Sequence, residues 1–366
     1  MVCAERASPC KEAKVAALRQ GLQLRCSLPH RNTFLTTGDS TDEPNEVQHR
    51  VEMGIESPLV FFFFLAALGL ADRLPSQVGA EAGHGALELT SGLGRQLYAL
   101  PDDEGVIIAR KSLAADPSNV ERVLQLSKAE AARRQYREAV ATCTHGLAQA
   151  PNNADLFLER GHRELGLREF NKAMSDLQQA TRLAPEMLDA YYHLGLAHYF
   201  LGQFGEAAAS FDKARELAKS NDSLIDCSNW LYVSLRRAGK EQEAAQVLIR
   251  ITPEVKNTEP HLYFYLRLLH FYQGRLTAES VSPPPPAGPA DLEGELAFDT
   301  VSYGVGNWYL CHHNRSGAEV LFKNVVKGEA WNAWGFIGSE EELLREDSSA
   351  SPTGGSWSAK PVRNLP

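Results

Sequence analysis

The chain repeats itself every 34 residues. Leu188 to Asn221 reads LDAYYHLGLAHYFLGQFGEAAASFDKARELAKSN, and the windows Ala154–Met187 and Val120–Asn153 carry the same offsets in register, with no gap between windows. A period of this length, with small and aromatic residues at constant positions, specifies a helical hairpin that recurs and stacks. No single hairpin can bury its apolar stripe alone, so each must complete its core against its neighbours. The expectation is an all-α fold that grows by length.

The offsets carry physical content. In the window from Leu188 they are Tyr191, Leu194, Gly195 and His198 on a first helix, Gly202 and Phe204 at a turn, and Ala207, Phe211 and Ala214 on a second helix. The window from Ala154 gives Phe157, Gly161, Phe170, Ala173, Leu177, Ala180 and Pro185, and that from Val120 gives Val123, Leu126, Ser127, Tyr136, Ala139, Cys143, Gly146 and Pro151. Small residues facing one another, Gly195 with Ala207, Gly161 with Ala173 and Ser127 with Ala139, let two antiparallel helices approach. Pro151 and Pro185 stop the second helices by removing an N–H. These windows resemble the tetratricopeptide repeat family. The resemblance implies an alpha-alpha superhelix, a right-handed solenoid of helix-turn-helix repeats, with a surface that holds protein partners.

The pattern is clearest in residues 120–153, 154–187 and 188–221 and extends in weaker form over 86–346. A fourth unit is expected over 225–258 after an insertion of about three residues, with Tyr232 where a small residue belongs, so that this pair is splayed or shifted. A fifth, 260–282, keeps its first helix, but its partner is cut short by Pro283 to Pro286, read as a surface loop. A sixth occupies 299–330, and 331–346 reads as a terminal helix whose Glu340, Glu341, Glu342 and Arg345 give the array a polar cap. Upstream, Ala86–Asn119 is a degenerate candidate unit, and 347–366, rich in Ser, Gly and Pro, is expected to be disordered.

Residues 1–52 form a poorly ordered extension of mixed charge. Residues 53–80 hold the apolar run Leu59–Ala71, too short to span a bilayer, which takes about 20 residues, but of the right length for a signal-peptide core. Val78, Gly79 and Ala80 offer a cleavage point, and Met53 an internal start. The expectation is export to the periplasm or beyond, with membrane anchoring or a cytoplasmic location as alternatives, and membrane or envelope association through residues 59–71.

Composition narrows the function. A formal charge of −9 argues against nucleic acid as a partner, because that role needs a concentrated basic surface. The local basic runs Arg133, Arg134 and Arg137, and Arg236, Arg237 and Lys240, read as solvated turn faces. Cys143, Cys227 and Cys311 are three in number and far apart, so they cannot form a complete disulfide set, and Cys143 takes a core position.

No phosphate-binding glycine loop, HExxH or CxxC occurs. Cys311-His312-His313 is the nearest approach to a metal cluster, but adjacent helical residues point about 100° apart, and the run reads as a turn. No cofactor is expected. What remains is a non-catalytic scaffold that binds a protein or peptide, with a solenoid hydrolase or metal-dependent enzyme as the alternative, or an envelope glycan binder stacking sugars on Trp230, Trp308, Trp331 and Trp334. The resemblance places the partner on the concave side, lined by the first helices. The residues so placed are Lys128, Asp155, Leu158, His162, Asp189, Tyr192, Leu196 and Tyr199. The asparagine-and-lysine set by which chaperone-binding relatives clamp a C-terminal carboxylate is missing from these positions, so chaperone binding is not expected.

Overall fold

A computed structural model of the protein describes residues 85–288 and 291–349, with side chains to residue 345. The N-terminal extension, the apolar run 59–71 with its cleavage point, and the tail beyond 349 lie outside the described residues.

Helical hairpins follow one another through the centre of the chain. The helix α1 (Glu104–Ala115) packs on α2 (Val120–Ala132), the first helix of the first full hairpin. Then come α3 (Tyr136–Gln149), α4 (Ala154–Gly166), α5 (Phe170–Leu183), α6 (Leu188–Phe200) and α7 (Phe204–Glu216). Each packs on the next, and the first helices α2, α4 and α6 also touch in succession. The result is an all-α superhelix. Asn119 and Asn153, one period apart, cap α2 and α4 by accepting hydrogen bonds from the Arg122 and Leu156 amides, each worth about 1 kcal/mol. The turn inside each hairpin requires a left-handed residue. Gly202 and Gly239 supply it at φ 75° and 73°, whereas Arg134 and Arg168 hold it at 57° and 62° without glycine's freedom.

The contact that locks each hairpin is four residues longer than the small-to-small pairing predicts. A Cβ on Gly161 would lie 2.8 Å from Leu177, and one on Gly195 would lie 2.7 Å from the Phe211 ring. In the first full unit the Cys143 thiol donates to Ser127 Oγ at 3.2 Å. Gly306 meets Phe322 the same way. Every hole therefore sits sixteen positions before its knob, because the second helix delivers the side chain one turn beyond the backbone crossing.

Beyond Asn221 the period loosens. The three-residue insertion is absorbed by lengthening a helix: α8 runs Asn221–Arg237 before the shorter α9, Glu241–Ile249. Tyr232, too large for a hole, is buried instead against Tyr272, with ring centres 4.4 Å apart and nearly parallel. Then follow α10 (Leu262–Tyr272), the single turn α11 (Ala278–Val281), α12 (Leu292–Cys311), α13 (Arg315–Val325) and α14 (Trp334–Ser349).

Two expectations need correction. Residues 86–98 are not helical: β1 (Leu87–Thr90) and β2 (Gln96–Tyr98) make an antiparallel hairpin around Gly94 at φ 83°. The alternation Leu87-Glu88-Leu89 suits a strand, and Leu89 and Leu97 join a core with Tyr136, Trp331 and Phe336. The terminal helix is not a solvent-facing cap either. Glu340 and Glu342 are 1% and 3% exposed, because α14 folds back against α6 and α12.

Candidate functional site

A cleft of about 510 Å³ opens beside the faces of α2 and α4. Lys128 and His162 project into it from those two helices. The opposite side comes from later elements: His261 and Tyr265 at the start of α10, Thr300 on α12, and Trp334 at the start of α14. The volume lies within the usual range of ligand pockets, roughly 300–1,000 Å³.

The chemistry of the lining is uneven. Its charged side chains are Lys128 and Arg163, and no carboxylate contributes to it. Arg163 is tied to Glu159 at 2.8 Å, leaving exposed Lys128 as the more available cation. His162 packs on His193 with ring centres 4.1 Å apart, and Trp334 covers both. Burial holds both imidazoles below their ordinary pKa, with Arg163 and the second ring adding to the effect on His162. This stack was missed in the sequence. Its trace is a spacing of 31 residues, one repeat less one turn, which puts the two imidazoles diagonally across adjacent first helices.

The expected concave-face residues divide. Lys128 and His162 line the cleft. Asp155 and Asp189 are exposed on neighbouring first helices, and Leu158 is half-buried against the core. Tyr192, Leu196 and Tyr199 are not available: they are 7%, 0% and 0% exposed. The Tyr192 hydroxyl donates to Asp226 at 2.9 Å and the Tyr199 hydroxyl to Asn307 at 2.8 Å. The physical reason is that α8, α12 and α14 cover this part of α6. Burial raises the Asp226 carboxyl to about 7, against the opposing pull of Tyr192.

The arginines read as solvated turn faces are likewise engaged. Arg134 donates to the Glu329 carbonyl at 2.8 Å. Arg237 grips Glu342 through both its terminal nitrogens at 2.7 and 3.0 Å. Of the tryptophans considered for sugar stacking, Trp230 and Trp331 are each 2% exposed and belong to the core. His312 stacks on Trp308, and among the described residues no group of three His, Cys, Asp or Glu side chains comes together as a metal-ligand set. No helix among them is long and apolar enough to cross a membrane.

Residues 188–221 match the family model of the tetratricopeptide repeat. No curated protein matches the chain. Among solved structures, the MamA protein is 20% identical, covering 47% of this chain and 84% of its own at a TM-score of 0.35. A tetratricopeptide repeat protein from Parabacteroides merdae ATCC 43184 is 18% identical, covering 65% of this chain and 91% of its own at a TM-score of 0.41. Residues 188–221 are thus matched as a tetratricopeptide repeat, and hairpins of the same 34-residue period stack before them.

Proposed function

We propose that the protein is a non-catalytic scaffold that holds an acidic segment of a protein partner in the cleft beside α2 and α4. The observation that supports this is the lining: two cations, two imidazoles, an indole and two phenol rings, without a carboxylate, in a chain of formal charge −9. A cationic recess on an acidic surface attracts a negatively charged segment and repels other stretches of like sign. Tyr265 and Trp334 offer flat apolar area of the kind that anchors side chains at interfaces. Burial holds His162 below its ordinary pKa and Arg163 is paired with Glu159, so the charge that recognises the partner is carried chiefly by Lys128.

The test is site-specific photocrosslinking. A photoreactive amino acid at position 132, on the rim of the cleft, should capture a discrete partner from an extract of the source cells, and mass spectrometry should place the adduct in an Asp/Glu-rich segment. The same group at position 213, on the second helix α7, should not. Lys128→Glu should reduce the yield at position 132 by about tenfold, as expected for loss of about 1.4 kcal/mol. Equal labelling from both positions, or a yield indifferent to Lys128→Glu, would refute the assignment.

A further inference from the structure

We propose that α1 is a self-association element: two copies of the chain pair antiparallel through Ile107 and Ile108, about a two-fold axis that passes between these residues. Helix α1 contributes nothing to the lining of the cleft, and the pairing does not depend on the cleft reading.

Helix α1 is a second helix without a first. In the 34-residue register Gly105 corresponds to Ala139, Ala173 and Ala207, and Ile108 to Thr142, Asp176 and Ser210. Those alanines are each 0% exposed. Thr142 donates to Glu130 on α2 at 2.8 Å, Asp176 holds Arg160 on α4 at 2.5 Å, and Ser210 is 8% exposed. In each full hairpin the first helix therefore covers these positions. Ahead of α1 the chain forms the β-hairpin instead of a helix, and α1 packs chiefly on α2. Gly105 is exposed in consequence, and Ile108 is 59% exposed. Ile107, 58% exposed, stands where α3, α5 and α7 carry Ala141, Ser175 and Ala209. A face that is small and polar in the other units thus presents two adjacent isoleucines in this one. Apolar area removed from water drives association, and neighbouring side chains form a patch where single scattered ones would not.

Charge selects the occupant. Glu104, Ile107, Ile108 and Lys111 fall at i, i+3, i+4 and i+7, one stripe of the helix. Glu104 and Lys111 are both exposed, while the neighbouring cation, Arg110, is turned to Asp102 at 2.6 Å. A two-fold axis makes every contact occur twice, residue i on j and j on i. Centred between Ile107 and Ile108, it sets Ile107 of one copy on Ile108 of the other, and Glu104 on Lys111. A parallel pair would set Glu104 on Glu104 and Lys111 on Lys111. The stripe is its own complement in the antiparallel sense alone. Exposed ion pairs add little affinity; here they fix orientation and register, and the isoleucines supply the attraction. One pair of short helices covers less than the roughly 1,600 Å² of a standard interface, so a dissociation constant on the order of micromolar is expected.

The experiment is sedimentation velocity of the full chain at concentrations on either side of that range, with helicity of each variant checked by circular dichroism. The unaltered chain should pass from monomer to dimer as concentration rises. Ile107→Glu combined with Ile108→Glu, at two exposed positions, should stay monomeric. Glu104→Lys or Lys111→Glu alone should weaken association by at least about tenfold. The two reversals in one chain should restore it, and an equimolar mixture of the two single variants should form a heterodimer. Should the isoleucine variant misfold, the charge series decides. A chain that stays monomeric, association that survives the isoleucine variant, or a double reversal no stronger than the single ones would overturn the proposal. So would an α1 that captures a different protein while the purified chain remains monomeric. Lys128→Glu should leave the dimer intact, so loss of capture at the cleft and loss of dimerisation are read separately.

Discussion

Asp299 shows what a single side chain does to this molecule. It is 1% exposed, neither oxygen has a partner, and burial together with the charge of Glu295 raises its carboxyl to about 8. On unfolding it returns to an ordinary aspartate value near 3.9. Between those limits the unfolded chain sheds a proton that the folded chain keeps. Stability is thus unaffected by this group below about pH 4 and is lost progressively as pH rises through about 8. Asp299→Asn should stabilise the protein, and the gain should grow by roughly 1–3 kcal/mol between about pH 5 and pH 8. Urea unfolding at the two pH values measures it, and a gain of equal size at both would refute the account. The turn arginines make the complementary case. Arg134 and Arg168 accept the left-handed backbone that glycine takes in later turns, at a cost of about 1 kcal/mol, and each gains a contact with the returning C-terminal segment.

The elements differ in how openly their residues declared them. Helices α2 to α7 follow from the offsets of Gly161, Gly195, Phe170, Phe204 and the turn positions, because each of these meets a neighbour at a fixed distance along the chain. The β-hairpin falls within the window 86–119, expected to be a degenerate helical unit, and its four- and three-residue strands give that expectation little to contradict it. Glu340-Glu341-Glu342 reads as a solvated run because an isolated helix would expose it. Only the arrival of Arg168 and Arg237 from 172 and 105 residues away makes its burial affordable, and no local pattern encodes such a meeting. The same long-range packing took Tyr192, Leu196 and Tyr199 out of the expected groove and brought Trp334 into the cleft. The pairing of α14 with the α4–α5 turn is open to a double-mutant cycle. Arg168→Ala leaves the buried Glu340 carboxylate without its cation and should cost about 3 kcal/mol. Adding Glu340→Ala should recover at least about 1 kcal/mol of that loss. Additive losses in chemical denaturation would show that the pair is not coupled.

At the scale of the whole described unit, the first and last elements share one core. Leu89 and Leu97 from the β-hairpin meet Val325, Trp331 and Phe336 from the C-terminal region, and Arg95 joins Glu329 across 234 residues of chain. Stacks that rely on nearest neighbours alone can unravel from their ends. Here loss of either end exposes the other. Helicity and tryptophan fluorescence should therefore fall at the same denaturant concentration in the unaltered protein. Arg95→Ala should separate them, with fluorescence changing first. Coincident curves in the variant would argue against the tie. The same bond bears on how such an array can evolve. An open row of hairpins accepts a duplicated unit with little penalty, since the newcomer only needs a neighbour on each side. In this molecule an extra hairpin between Arg95 and Glu329 would carry the two partners apart and move Arg134 and Arg168 out of step with Trp331, so copy number is fixed by a contact that no single repeat contains.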